Sequence, residues 1–103
     1  MSLLQEYLKD LEEVVNVDCG SASTEGVTKV ARIMQRHYDE MGFHTELIGF
    51  GPEAGKGLFA TNKPGAEHFD LMLNAHLDTV FPDGTVAKRP FRIEGDRVRG
   101  PGW

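Results

Sequence analysis

Apolar residues recur at helical spacing as far as Met41, and beyond Gly42 the period changes to that of strands. Leu4, Leu8, Leu11 and Val15, flanked by Tyr7 and Val14, form one stripe, with Lys9, Asp10, Glu12 and Glu13 off it. That is the pattern of an amphipathic helix. Ser2 followed three residues later by Gln5 predicts a capping box at its start, and an end near Asn16 is expected. A loop of small residues, Asp18-Cys19-Gly20-Ser21-Ala22-Ser23, follows. Thr24 is the expected cap of a second helix, with Glu25 well placed in its first turn. Val27, Val30, Ala31, Met34, Tyr38 and Met41 mark its buried face, and Gly42 supplies the stop.

Phe43 to Phe50 and Gly57 to Thr61 then read as an antiparallel pair of strands joined by Gly51-Pro52-Glu53-Ala54-Gly55-Lys56. After a turn at Asn62 to Glu67 comes an apolar run, Leu71-Met72-Leu73 with Ala75, bounded by Pro64-Gly65 and Pro82-Asp83-Gly84. A run this short and this continuous predicts a central strand buried on both faces. Pro82 to Lys88 is expected to be an irregular loop. Phe91 to Glu94 and Arg97 to Gly100 predict a hairpin around Gly95-Asp96, with Ile93 opposite Val98, Glu94 paired with Arg97, and Arg92 set against Arg99. The fold class that follows is α/β, two helices followed by strands and a C-terminal hairpin.

Composition narrows the functions available. A chain of 103 residues, 40% hydrophobic and 26% charged, is one domain at most, with a modest core. Its formal net charge of -5 argues against general nucleic-acid binding. Lys88, Arg89, Arg92, Arg97 and Arg99 cluster, but as the solvated face of the hairpin. The single cysteine, Cys19, has no internal partner and reads as a small, partly buried thiol. No signal peptide or membrane span is visible, so a soluble, cytoplasmic protein is expected. Two phosphate-loop patterns fail on inspection. Gly49-x-Gly51-x-x-Ala54 is followed by no helix signal, and Gly55-Lys56 lacks both the first glycine and the closing Ser or Thr of such a loop. His37 is expected to face solvent or cap a packing edge, and His44 and His68 to be surface histidines without a partner carboxylate at fixed spacing.

The chemistry concentrates at the end of the apolar run, where His76 and Asp78 stand two apart. In an extended chain such residues share a face. A metal-binding imidazole is commonly held this way, one ring nitrogen on the ion and the other donating to a carboxylate. On its own, His-x-Asp fits a strand-end histidine satisfied by a nearby carboxylate better than it fits a metal site.

The longer string is more specific. Leu73-Asn74-Ala75-His76-Leu77-Asp78-Thr79-Val80-Phe81-Pro82, then Gly84-Thr85, Arg89-Pro90-Phe91, Glu94-Gly95-Asp96-Arg97 and Gly100-Pro101-Gly102 resemble, in order, the amino-terminal part of the zinc-dependent exopeptidases and deacylases. These include glutamate carboxypeptidase, acetylornithine deacetylase, succinyl-diaminopimelate desuccinylase and aminoacylase; the His-Leu-Asp-Thr-Val-Phe-Pro wording is nearest the glutamate carboxypeptidase branch. The resemblance implies a three-layer α/β/α domain with a mixed sheet, His76 on one of two zinc ions (cobalt would suit similar ligands), and Asp78 as a catalytically essential brace. It implies hydrolysis of an amide next to a free carboxylate, in a small peptide or an N-acyl amino acid. The family's bridging aspartate, three residues after the second glycine of Gly100-Pro101-Gly102, has no counterpart here, and Trp103 stands where a small residue is usual. The base and the other ligands of the family are absent as well. The 103 residues are therefore expected to be an incomplete, inactive portion of that catalytic domain. They are expected to self-associate to hide uncovered apolar surface, as a homo-oligomer. The alternative is a non-catalytic module that binds a partner or its own copy without metal.

Overall fold

A computed structural model describes residues 2–102, so Trp103, and the sequence reading placed on it, lie outside the described residues. The first helix, α1 (Leu3–Val15), starts with the expected capping box: Ser2 accepts from the Gln5 amide, and the Gln5 side chain accepts from the Ser2 amide. It ends at Asn16. The second helix, α2 (Thr24–Glu40), is capped one residue earlier than expected, at Ser23, which makes no side-chain capping bond. Gly42 terminates it at φ 84°, a left-handed conformation that glycine adopts without steric cost.

Strands β1 (His44–Ile48) and β2 (Gly57–Thr61) pair antiparallel, His44 opposite Thr61 and Ile48 opposite Gly57. Both pack on α2. Thr45 locks the junction, accepting from Gln35 at 3.2 Å and donating to Asp39 at 2.6 Å. The connection between the strands folds back on α2 as well, where the Lys56 amide donates to the Thr28 hydroxyl at 3.0 Å. No helix follows the glycines of that connection; β2 does, as the rejection of both phosphate-loop patterns requires.

The core is small: Val15, Cys19, Val27, Val30, Ala31, Ile33 and Phe91 are buried, with Val14, Val17, Met34 and Leu77 packed alongside. Ile33, which lies off the stripe read from sequence, is buried as well. The molecule is flat, 45 × 38 × 19 Å, with a radius of gyration of 15.1 Å. A compact domain of this length would have roughly 13 Å.

The central strand is the main correction. Residues 71–78 form neither helix nor strand, and Leu71, Met72 and Leu73 are 76%, 81% and 85% exposed. A continuous apolar run signals a preference for burial on both faces, but a strand also needs hydrogen-bonded neighbours. Among the described residues none pairs with this stretch before Thr79, which makes a single parallel bridge with Gly20.

The expected irregular loop after Pro82 contains a turn of helix, α3 (Thr85–Lys88). Asp18 stabilises it from afar, its carboxylate accepting from the amides of Gly84 and Val86 at 3.0 Å each. Beyond it, β3 (Arg92–Glu94) and β4 (Arg97–Arg99) form the expected hairpin in the expected register. Gly95 has φ 64° and Asp96 is not at positive φ, which among the primed turns fits type II′. The ion pairs differ from expectation. Glu94 engages Arg92 and Arg99, the latter at 3.0 Å, so it sits between the two like charges and relieves their repulsion.

Candidate functional site

His76 and Asp78 enter the folded part of the molecule through the segment that follows them. The Thr79 amide donates to the Cys19 carbonyl at 2.8 Å, and the Ser21 amide donates back to the Thr79 carbonyl at 3.1 Å. This short parallel contact seats the α1–α2 loop against residues 78–79. Gly20 is required there: a Cβ at that position would lie 2.3 Å from the Phe81 carbonyl oxygen.

Seated this way, the loop brings Ser21 to Asp78. The Ser21 hydroxyl donates to Asp78 Oδ2 at 2.5 Å and lies 3.3 Å from the Thr79 carbonyl. The other carboxylate oxygen, Asp78 Oδ1, stands 3.3 Å from His76 Nδ1, and the Asp78 carbonyl oxygen is 2.9 Å from the same nitrogen. Both are acceptors, so the network assigns the proton of a neutral His76 to Nδ1 and leaves Nε2 bare. The ring is 85% exposed and the Asp78 side chain 40%. The Ser21 hydrogen bond, ahead of Asp78's own amide and of His76, holds the Asp78 carboxyl below its ordinary range, with desolvation opposing.

The two residues singled out from sequence therefore do meet. Ser21 was not legible as their partner, because the contact spans 57 residues and nothing in a loop of small residues marks which hydroxyl will reach it. A second pair of the same spacing exists: His44 Nε2 lies 3.3 Å from Glu46 Oε1 in β1. The expectation that His44 lacks a partner carboxylate is corrected by that contact.

The other nearby groups are committed elsewhere. Asp18 is held below its ordinary carboxyl range by the amides of Val86 and Gly84, and burial pushes the Cys19 thiol up. An open depression of about 430 Å³ beside the loop is walled by Ser21, Ser23, Thr79, Phe81 and Pro82.

A bare Nε2 with a braced Nδ1 fits one metal ligand and its support. It does not amount to a metal site, which takes about three protein ligands. Among the described residues no group of three or more His, Cys, Asp or Glu side chains gathers to hold an ion.

No family model matches the chain. Over 96 residues, 92% of its length, it is 34% identical to carboxypeptidase G2 of Pseudomonas sp. (strain RS-16). Over 78 residues, 76% of its length, it is 31% identical to an uncharacterized metallohydrolase of Methanocaldococcus jannaschii. The matched stretches make up 23% and 20% of those two proteins. Among the described residues no helix is long and apolar enough to cross a membrane.

Proposed function

Since the chain belongs to the zinc-dependent exopeptidase family that includes the glutamate carboxypeptidases, we propose that its His76–Asp78 pair contributes one metal ligand and its brace to a metallohydrolase site. The observation that carries this is the His76 ring, turned back through Nδ1 onto Asp78 while Nε2 faces outward. Zinc, when bound, would activate water for attack on an amide next to a free carboxylate, in a small peptide or an N-acyl amino acid. His76 would hold the ion, and Asp78 would fix the ring. The ligands for one or two zinc or cobalt ions, and the base, would come from outside the described residues. A three-layer α/β/α sheet would form around residues 71–75 in that setting, in a cytoplasmic protein. The 103 residues alone are then inactive.

The test is a Zn²⁺ titration of the chain, following the ring nitrogens of its four histidines by NMR. His76 Nε2 is expected to move first, and His76→Ala to abolish the response while His44 behaves as before. A wild-type chain in which zinc leaves His76 unmoved would overturn the assignment.

A second reading has its own observation. Leu71, Met72 and Leu73 are exposed in succession, which favours a module that associates with its own copy and uses no metal. That reading predicts association indifferent to zinc and to His76→Ala.

A further inference from the structure

We infer that Ser21 is the positioning residue of the His76–Asp78 pair: its hydroxyl fixes the Asp78 carboxylate so that one oxygen faces Nδ1 of His76 and Nε2 is presented outward. The inference rests on the proposed role of His76 as a metal ligand, and it adds a residue from a distant loop.

The geometry leaves the Ser21 proton one destination. Its oxygen has two acceptors in range, Asp78 Oδ2 at 2.5 Å and the Thr79 carbonyl at 3.3 Å. A single hydroxyl proton goes to the nearer and charged one. Rotation about the last torsion of an aspartate is soft, so a partly exposed carboxylate does not hold one orientation unaided. With Oδ2 taken by Ser21, Oδ1 is the carboxylate oxygen left for His76 at 3.3 Å, beside the Asp78 carbonyl oxygen 2.9 Å from the same nitrogen.

Ser21 is itself held. Its amide is bound to Thr79, the Thr79 amide to Cys19, and Gly20 lies too close to Phe81 to carry a side chain. The loop therefore delivers the hydroxyl as part of the fold, before any ion arrives. The His44–Glu46 pair serves as an internal comparison. It has the same spacing and the same 3.3 Å separation, but Glu46 receives no hydroxyl among the described residues.

Protonation at Nδ1 is the reverse of the preference of a free neutral imidazole, and the Asp78 carbonyl also favours it, so the change in tautomer population when the Ser21 hydroxyl is removed reports the positioning. The experiment labels the histidines of the intact chain with ¹⁵N and records long-range ¹H–¹⁵N correlations well above the ordinary imidazole pKa of about 6.5. Wild-type His76 is expected as the Nδ1–H tautomer and His44, whose Nε2 faces Glu46, as the Nε2–H tautomer. Ser21→Thr and Ser21→Val have the same shape and differ in the hydroxyl, so they share any packing cost. The Thr variant should keep the wild-type tautomer population and the Val variant should shift toward a mixture, its Nδ1–H then held by the Asp78 carbonyl alone, with Ser21→Ala as a further check and the Val30 and Ala31 methyl signals confirming the fold. Zinc affinity at His76 should then fall about tenfold from Thr to Val, the low end for residues that support a ligand. An Nε2–H tautomer in wild type, or equal tautomer populations in the Thr and Val variants, overturns the inference. If the tautomer follows the hydroxyl while zinc ignores His76 in every variant, the positioning role stands and the metal-ligand reading falls.

Discussion

The carboxylate of Asp18 accepts a hydrogen bond from the amide of Val86, 68 residues along the chain, at 3.0 Å. Its other oxygen accepts from Gly84 at the same distance. Gly84 occupies the cap position of α3 and has no side chain with which to cap it, so Asp18 supplies the missing acceptor from the α1–α2 loop. The same loop carries Ser21 to Asp78. One short segment thus ties α1, α2, α3 and the candidate site together.

That tie should depend on pH. The two amides hold the Asp18 carboxyl below its ordinary value of 3.8. A carboxyl with a folded pKa below its unfolded one stabilises the fold fully above the unfolded value, and the contribution disappears as pH falls through the folded value. The Gly84 and Val86 amide resonances should therefore hold steady down to pH 3.8 and shift together below it. In Asp18→Asn the coupled shift should vanish, and α3 should fray at neutral pH.

Gly26 sets helix propensity against close packing. In the first turns of α2, alanine in place of glycine gains about 0.8–1 kcal/mol of propensity. A Cβ there would lie 1.7 Å from the Asp18 carbonyl oxygen, backbone that must move if the side chain is to fit. Overpacking of this kind costs about 1–3 kcal/mol. Gly26→Ala should accordingly lower the urea midpoint, and it should disturb Gly84 and Val86 through Asp18. Gly42→Ala should lower the midpoint without disturbing them, because its cost comes from φ 84° alone and no atom lies within 4 Å.

How much could be read from sequence follows the range of the interaction. The Ser2–Gln5 capping box, the Gly42 stop and the whole register of the β3–β4 hairpin are fixed by residues within a few positions of one another. Juxtaposition of His76 with Asp78 belongs to that class. Contacts at 57 to 68 residues, Ser21 to Asp78 and Asp18 to α3, leave no local trace. The Glu94 ion pairs were misread because a directly opposite residue is not always the one a long side chain reaches; the neighbour on its own strand and the diagonal one won. The run at residues 71–75, whose pattern predicts a buried strand, is exposed and unpaired, because strand formation and burial depend on neighbours that a hydrophobic pattern cannot supply.

Val30 tests the core. It is 2% exposed and packs within the cluster of Val27 and Cys19. Removing two methyl groups there forfeits about 1.6 kcal/mol of transfer energy, plus a cavity contribution. Val30→Ala should cost about 2 kcal/mol by denaturant unfolding. With so few buried residues, a large part of the population should be unfolded at 37 °C by circular dichroism.

The uncovered run decides the state of the chain in solution. Leu71, Met72 and Leu73 point their apolar surface to water in succession, and Val80 is exposed beyond them. Contiguous apolar patches on soluble monomers mark places where something docks, and unpaired backbone beside them is a template for strand pairing. The chain is therefore expected to associate with its own copy, with a sedimentation coefficient that rises with concentration. Leu71→Lys with Leu73→Lys should return it to a monomer, since two charges would have to be buried for the contact to form. Neither residue touches the core cluster, so the unfolding midpoint of the monomer should stay unchanged. Monomeric wild type at high concentration would instead mean that this apolar stretch is covered within a single chain.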